Sequence, residues 1–289
     1  MCRHLAYLGP AEPLGALLAE PPHSLLRQSW EPRRQRYGTV NADGFGVGWY
    51  AEGDPVPARY RRAGPIWADV SFPDLARVVR TTALLGAVRD ATVPGADGEA
   101  AAAPFASGRW LFSHNGSVAG WPDALAPLAR ELPPVALLSL AARTDSAFVW
   151  ALVLSRLRAG RELGAALAWA VTAVAAAAPA SRLNLLLTDG TAIAATAWGD
   201  TLWYLSRPGR GTVVASEPYD DDPHWQEVPD RTLLVARHAD VLLTPLKELG
   251  PDRPDGAGPA SRTASGTASS PSIDAGRAGG PSSRKESRT

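Results

Sequence analysis

Met1-Cys2-Arg3-His4-Leu5-Ala6-Tyr7-Leu8-Gly9-Pro10 opens the chain and governs how the rest is read. Cys2–Leu8 is mostly apolar and meets Gly9-Pro10, which predicts a first strand stopped at that dipeptide. Cys2 is the single cysteine and directly follows the initiator methionine. Cysteine is small enough at this position to permit methionine removal, which would leave an amine and a thiol on one residue. The amine titrates near about 7.7–8.0 and the thiol near about 8.5. The amine can therefore serve as general base for its own sulfur. A buried small hydrophobe is the other reading of Cys2. His4 lies two positions on, so it shares a strand face with Cys2 and offers a Cys–His pair; His114 is a second candidate for that role.

Further strands are expected at Phe45–Ala51, Leu84–Arg89, Trp110–Asn115, Leu183–Thr188, Ala192–Trp198, Thr212–Ala215 and Thr232–Ala236. Asp189-Gly190 reads as a hairpin turn. Helices are expected at Phe72–Arg80, Pro122–Glu131, Asp145–Leu157 and Glu162–Ala177. In the third, Phe148, Leu152 and Ser155 share a face, with Val149, Val153 and Leu157 beside it. Strands, a central helix pair, then more strands suit an α+β arrangement of two sheets with helices outside.

Composition narrows the class. The 289 residues carry 29 basic and 29 acidic side chains, which argues against a nucleic-acid or anionic-membrane partner. One cysteine excludes an internal disulfide framework. No apolar stretch reaches the roughly 18 residues of a membrane span, and the short apolar run after Arg3 does not make a signal peptide. A soluble, cytoplasmic protein is expected. Gly250–Thr289 holds 7 Gly, 5 Pro and 8 Ser, with Ile273 its one large aliphatic residue. Such a segment cannot offset its ordering entropy. Residues 1–249 are therefore expected to fold and 250–289 to form a disordered tail.

Several residues can carry chemistry. In Phe112-Ser113-His114-Asn115-Gly116-Ser117 the Asn-Gly pair offers an amide donor and an open backbone N–H, suited to an oxyanion; a hairpin turn is the plain alternative. Arg89 ends an apolar run and can clamp a carboxylate in two-point fashion, or it is one of many surface arginines. Asp145 opens a helical run, either as an N-cap or as an acceptor for a ligand ammonium. Asp220-Asp221-Asp222 could bind a cation, but with no companion ligands nearby it reads as a solvated acidic turn. Asn41-Ala42-Asp43-Gly44-Phe45-Gly46 lacks dinucleotide spacing. Neither a metal nor a cofactor is expected.

Taken in order, Cys2, Arg89-Asp90-Ala91-Thr92, His114-Asn115-Gly116 and Thr144-Asp145-Ser146 form a series. It resembles the class II glutamine amidotransferases, a branch of the N-terminal-nucleophile hydrolases, over about Cys2 to Leu249. Met1–Leu5, Asn41–Gly44, Pro65–Phe72, Ser216–Pro218 and Asp222–Trp225 are similar to the stand-alone γ-glutamyl hydrolases of ergothioneine biosynthesis. The resemblance implies a four-layer αββα sandwich with the terminal residue ending a central strand. It implies Cys2 as nucleophile, Asn115 and the Gly116 N–H as oxyanion hole, Arg89 on the α-carboxylate and Asp145 on the α-ammonium. Thr92, His114 and His4 fall with the substrate-binding residues; after Thr92, Val93-Pro94-Gly95 departs from the family spacing. The implied activity is removal of glutamate from the small molecule γ-glutamyl-hercynylcysteine sulfoxide through a thioester on Cys2. No synthase domain follows Leu249, which favours hydrolysis over ammonia delivery in cis. A glutaminase subunit serving a separate synthetase is the alternative, and a binding protein that retains Met1 is a third reading. Truncation after Leu249 is expected to leave activity near wild type, and circular dichroism of the shortened chain checks its folding.

Overall fold

The alternation along β1 (Arg3–Pro13) sets the layers. Leu5 and Tyr7 point one way and Ala6 and Leu8 the other, as a pleated strand requires. The outward pair packs against short helices; the inward pair packs against a second sheet. In chain order there follow α1 (Leu14–Leu18), α2 (Leu25–Gln28), β2 (Phe45–Trp49), β3 (Ala58–Arg62), α3 (Phe72–Val78) and β4 (Arg80–Val88). Next come β5 (Phe105–Ser107), β6 (Trp110–Ser117), α4 (Ala126–Ala129), α5 (Pro134–Leu138), α6 (Asp145–Arg158) and α7 (Leu163–Ala177). The chain continues with β7 (Arg182–Thr188), β8 (Ile193–Ala197), β9 (Trp203–Arg207), β10 (Gly211–Ala215), β11 (Gln226–Glu227), β12 (Thr232–Arg237) and β13 (Asp240–Pro245). Residues 2–91, 98–237 and 240–248 are described in this computed structural model, all within one compact unit, Met1–Asp255.

Two antiparallel sheets result. One runs β11-β9-β10-β1-β4-β2-β3, the other β13-β12-β8-β7-β6-β5. Three apolar layers separate four structural ones. Leu14, Leu18, Leu25 and Phe72 of α1–α3 and the turn beside them cover the outer face of the first sheet. Ala6, Leu85 and Val214 meet Leu111, Leu186 and Ile193 between the sheets. Phe112, Leu185 and Leu187 on the outer face of the second sheet pack under Phe148, Leu152, Leu167 and Val171 of α6 and α7. This is the expected α+β, four-layer αββα sandwich. Small residues keep the sheets close: Gly46 and Gly48 of β2 lie where a side chain would strike Ala103 and Leu111 respectively.

The structure corrects several expected elements. β1 does not stop at Gly9-Pro10. It shifts register between Leu8 and Glu12 and continues against β4 to Pro13. β10 pairs only with Leu5–Leu8, so the prolines fall where one side of β1 is open and no ladder bond is lost there. The expected helix Pro122–Glu131 is a 3₁₀ turn, Asp123–Leu125, followed by the single turn of α4. Pro127 lacks the N–H needed to continue one ladder through both. β3, β5, β9, β11 and β13, and helices α1, α2 and α5, were not expected. β3 reads Ala-Arg-Tyr-Arg-Arg, an edge strand whose charge hides its alternation. The expected tail, Gly250–Thr289, lies outside the described residues.

Gly46→Ala should destabilise the sandwich by about 1–3 kcal/mol, because the added methyl meets a backbone carbonyl that cannot rotate away. A thermal melt checks this, with a drop of several degrees expected.

Candidate active site

Strand register brings the candidate residues together. Arg3 pairs with Val88 across β1 and β4, so Cys2 stands beside Arg89 at one end of the central strands. From the facing sheet, β6 ends at Asn115-Gly116-Ser117, opposite Asn184, Leu183 and Arg182 of β7. α6 aims its N-terminus at the same place. A cavity of about 220 Å³ opens between them, and Cys2, Arg89, His114, Gly116 and Asp145 all line it.

Cys2 is partly buried and in no disulfide. Burial pushes its thiol above the ordinary value, opposed by a hydrogen bond from the Asp90 backbone and by the nearby Arg89 guanidinium, while Asp145 pushes the same way as burial. Arg89 is oriented by its own neighbours. Its Nη1 donates to the Asp43 carbonyl at 3.2 Å, and its backbone exchanges bonds with Asp43 and Gly44 at 2.9 and 2.8 Å. Asp145 is the first residue of α6, while Thr144 is the cap, accepting from the Ala147 N–H at 3.2 Å. The Asp145 carboxylate accepts from the Val118 N–H at 2.8 Å and the Ser146 N–H at 2.7 Å. A carboxylate at a helix N-terminus is favoured by the helix dipole. Its remaining lone pairs can accept from an ammonium.

His114 is held from both sides. Its Nε2 lies 2.9 Å from the Arg182 carbonyl, which only accepts, so Nε2 donates. Its Nδ1 lies 3.0 Å from Ser146 Oγ; in the neutral ring the hydroxyl donates to it. Asn115 and Gly116 form no hairpin turn: β6 runs through both. Asn115 is fully buried, and its Nδ2 donates to Ser216 Oγ at 3.3 Å. The same oxygen accepts from the His4 N–H at 3.0 Å, so Ser216 ties the start of β1 to Asn115. The sequence marked Ser216 only as the start of the Ser216–Pro218 stretch, with no role attached. A side chain at Gly116 would overlap the Arg182 carbonyl.

His4 does not reach the cavity. It is fully buried between the sheets, with Nδ1 3.1 Å from Ser113 Oγ. Strand alternation gives it the face of Cys2 but places it one step deeper, away from the opening. Thr92 lies outside the described residues. The Asp220-Asp221-Asp222 turn is occupied by internal partners: Asp220 accepts from Trp225 Nε1 at 2.7 Å, Asp221 pairs with Arg33 at 2.9 Å, and Asp222 pairs with Arg207. Among the described residues no group of three or more His, Cys, Asp or Glu could hold a metal ion, and no helix is long and apolar enough to cross a membrane.

Known proteins resemble this arrangement. The family model for class-II glutamine amidotransferases matches residues 22–210. The γ-glutamyl-hercynylcysteine sulfoxide hydrolase of Mycolicibacterium smegmatis is 43% identical over 246 residues, 85% of this chain and 100% of that one. Its Mycobacterium tuberculosis counterpart is 41% identical over 246 residues, covering 85% and 97%. Among solved structures, a glutamine aminotransferase class-II domain protein from Silicibacter pomeroyi superposes with TM-score 0.61 at 25% identity, covering 85% and 99%. The glutamine phosphoribosylpyrophosphate amidotransferase of B. subtilis shares the fold, with TM-score 0.59 at 16% identity, covering 85% of this chain and 49% of that one.

Burial, with the charges of His114 and Arg3 adding to it, pulls His4 from 6.5 down to about 3. The unfolded chain therefore takes up a proton near pH 6.5 that the native state refuses. Stability from this residue is full above about pH 6.5 and declines as pH falls toward about 3. Urea melts across that range should show a shallower acid decline in His4→Gln than in the wild type.

Proposed function

The chain belongs to the class-II glutamine amidotransferases, and we propose that within this family it hydrolyses the γ-glutamyl amide bond of γ-glutamyl-hercynylcysteine sulfoxide. The observation that carries the reading is the meeting of Cys2, Arg89, Gly116 and Asp145 in one cavity, contributed by both sheets and the start of α6. The mycobacterial relatives bearing that activity in their names span the same 85% of the chain.

Methionine removal makes the Cys2 nitrogen a free amine. Arg89 pairs with the substrate α-carboxylate through two parallel N–H bonds, and Asp145 accepts from its α-ammonium. The γ-carbonyl then lies over the sulfur, which is positioning that removes much of the entropic barrier. The thiol passes its proton to the amine, and sulfur attacks the carbonyl carbon. The oxyanion is held by the Gly116 N–H and by the second N–H of Asn115 Nδ2, the first being engaged by Ser216. As the C–N bond breaks, the Cys2 ammonium gives its proton to the departing nitrogen, leaving a γ-glutamyl thioester. The amine then takes a proton from water, hydroxide adds to the thioester, and glutamate leaves as the thiol is restored. His114 acts here as a positioning residue, holding Ser146, whose backbone N–H donates to Asp145. A terminal thiol of this kind fits a reducing cytoplasm.

The test is a substrate panel of the sulfoxide, glutathione and glutamine, alongside intact mass of the mature chain. Cleavage of the sulfoxide by a chain lacking Met1 is expected. Rapid glutamine turnover with the sulfoxide untouched would assign the protein to ammonia supply instead. Cys2→Ala should abolish turnover with the fold intact. Arg89→Lys should raise KM at least tenfold, about the loss of one charge-assisted bond, since an ammonium cannot make the two-point contact.

A further inference from the structure

The glutamyl head leaves part of the cavity wall unexplained. A zwitterion engages Arg89 and Asp145, yet Arg143 and Trp121 also line the cavity. Ammonia, the group released from glutamine, offers nothing to either. Arg143 is exposed and stands two residues before Asp145. Trp121 stands five residues after Gly116, on the segment leaving the end of β6. That segment is pinned along its length. Its Val118 N–H donates to Asp145, the Ala119 N–H donates to Ser181 Oγ at 3.1 Å, and Gly120 turns it with φ +69°. The indole rests on Phe148 of α6 with ring centroids 5.5 Å apart. A ring fixed this way loses little freedom when a ligand stacks on it.

Other tryptophans are committed elsewhere. Trp225 is buried under the outer helices and donates to Asp220. Trp49 packs into the same layer, and Trp67 pairs edge-on with Trp30 at 5.8 Å. Trp121 alone of these lines the cavity that holds Cys2.

Resting on the hydrolase reading above, we propose that Trp121 and Arg143 form a leaving-group subsite. It takes the amine of an α-amino acid with a planar or cationic side chain. Arg143 pairs with the carboxylate next to the departing nitrogen. Trp121 offers its face to the side chain, the aromatic ring best suited to a cation or a flat group. Specificity for large γ-glutamyl amides over glutamine then comes from this wall.

The test compares kcat and KM on four amides: γ-glutamylphenylalanine, γ-glutamylalanine, γ-glutamylethylamide, which lacks the carboxylate, and γ-glutamyl-hercynylcysteine sulfoxide. The wild type should prefer phenylalanine over alanine, and alanine over ethylamide. Trp121→Ala should shrink the first preference about tenfold, through KM, with Trp121→Phe restoring most of it. Trp121→Leu, which keeps packing on Phe148, serves if the alanine variant does not fold. Arg143→Gln should shrink the second preference by about the same factor. Preferences unchanged in folded variants, or absent from the wild type, overturn the subsite. A wild type that shows both preferences but leaves the sulfoxide intact overturns the earlier substrate assignment alone. One that cleaves none of the four overturns both.

Discussion

The antiparallel pairing of β1 with β4 is the constraint on which the site depends. With Arg3 opposite Val88, Cys2 meets Arg89. A slip of one residue would turn Cys2 outward and Arg3 inward, since side chains alternate strictly along a strand. The register is defended on both faces. Ala6 and Leu8 are enclosed by the second sheet, and Leu5 and Tyr7 by the outer helices. Arg3 itself is fully buried. Burial drags its guanidinium below the usual range, and the charges of Asp200 and Glu217 hold it up. Its Nε donates to Gln35 at 3.3 Å. Glu217 also accepts the backbone N–H groups of Arg33 and Arg34 at 2.9 and 2.8 Å. Arg3 and Glu217 thus each hold part of the 31–44 segment, whose far end carries the Asp43 carbonyl that orients Arg89.

The opposite half of the site is built by different means. Here a helix start and a strand end are locked by short polar links. Val118, Ser146 and Asp145 share bonds around one carboxylate, and His114 closes the circuit through Ser146 and Arg182. Both ring nitrogens of His114 have a partner in this circuit, as low-dielectric surroundings require.

Alternation made the central strands legible: β4, β6 and β7 sit within four residues of their expected spans, as do α6 and α7, and β1 starts where expected but runs five residues past its expected end. The sequence singled out Cys2, Arg89, Gly116 and Asp145 by residue type and order, and the fold gathers these four along one cavity. What local sequence could not carry is who faces whom. Asp145 reads as a cap until Thr144 is seen capping in its place. His4 shares the Cys2 face, and only the second sheet decides that it is sealed away. Asn-Gly reads as a turn, and only pairing with β7 shows it continuing as strand. The charged edge β3 and the short β5 and β11 lack enough apolar positions to announce themselves.

The order of the first sheet has a consequence for biosynthesis. β1 finds its first neighbour at β4, but its second, β10, lies roughly 200 residues away along the chain. At about 5–20 residues per second, a ribosome needs on the order of 10–40 s to reach it. Until then the strand that carries Cys2 is an unfinished edge. Through that interval the residues ahead of Leu5 stay open to an aminopeptidase, until β10 arrives and covers the second edge of β1.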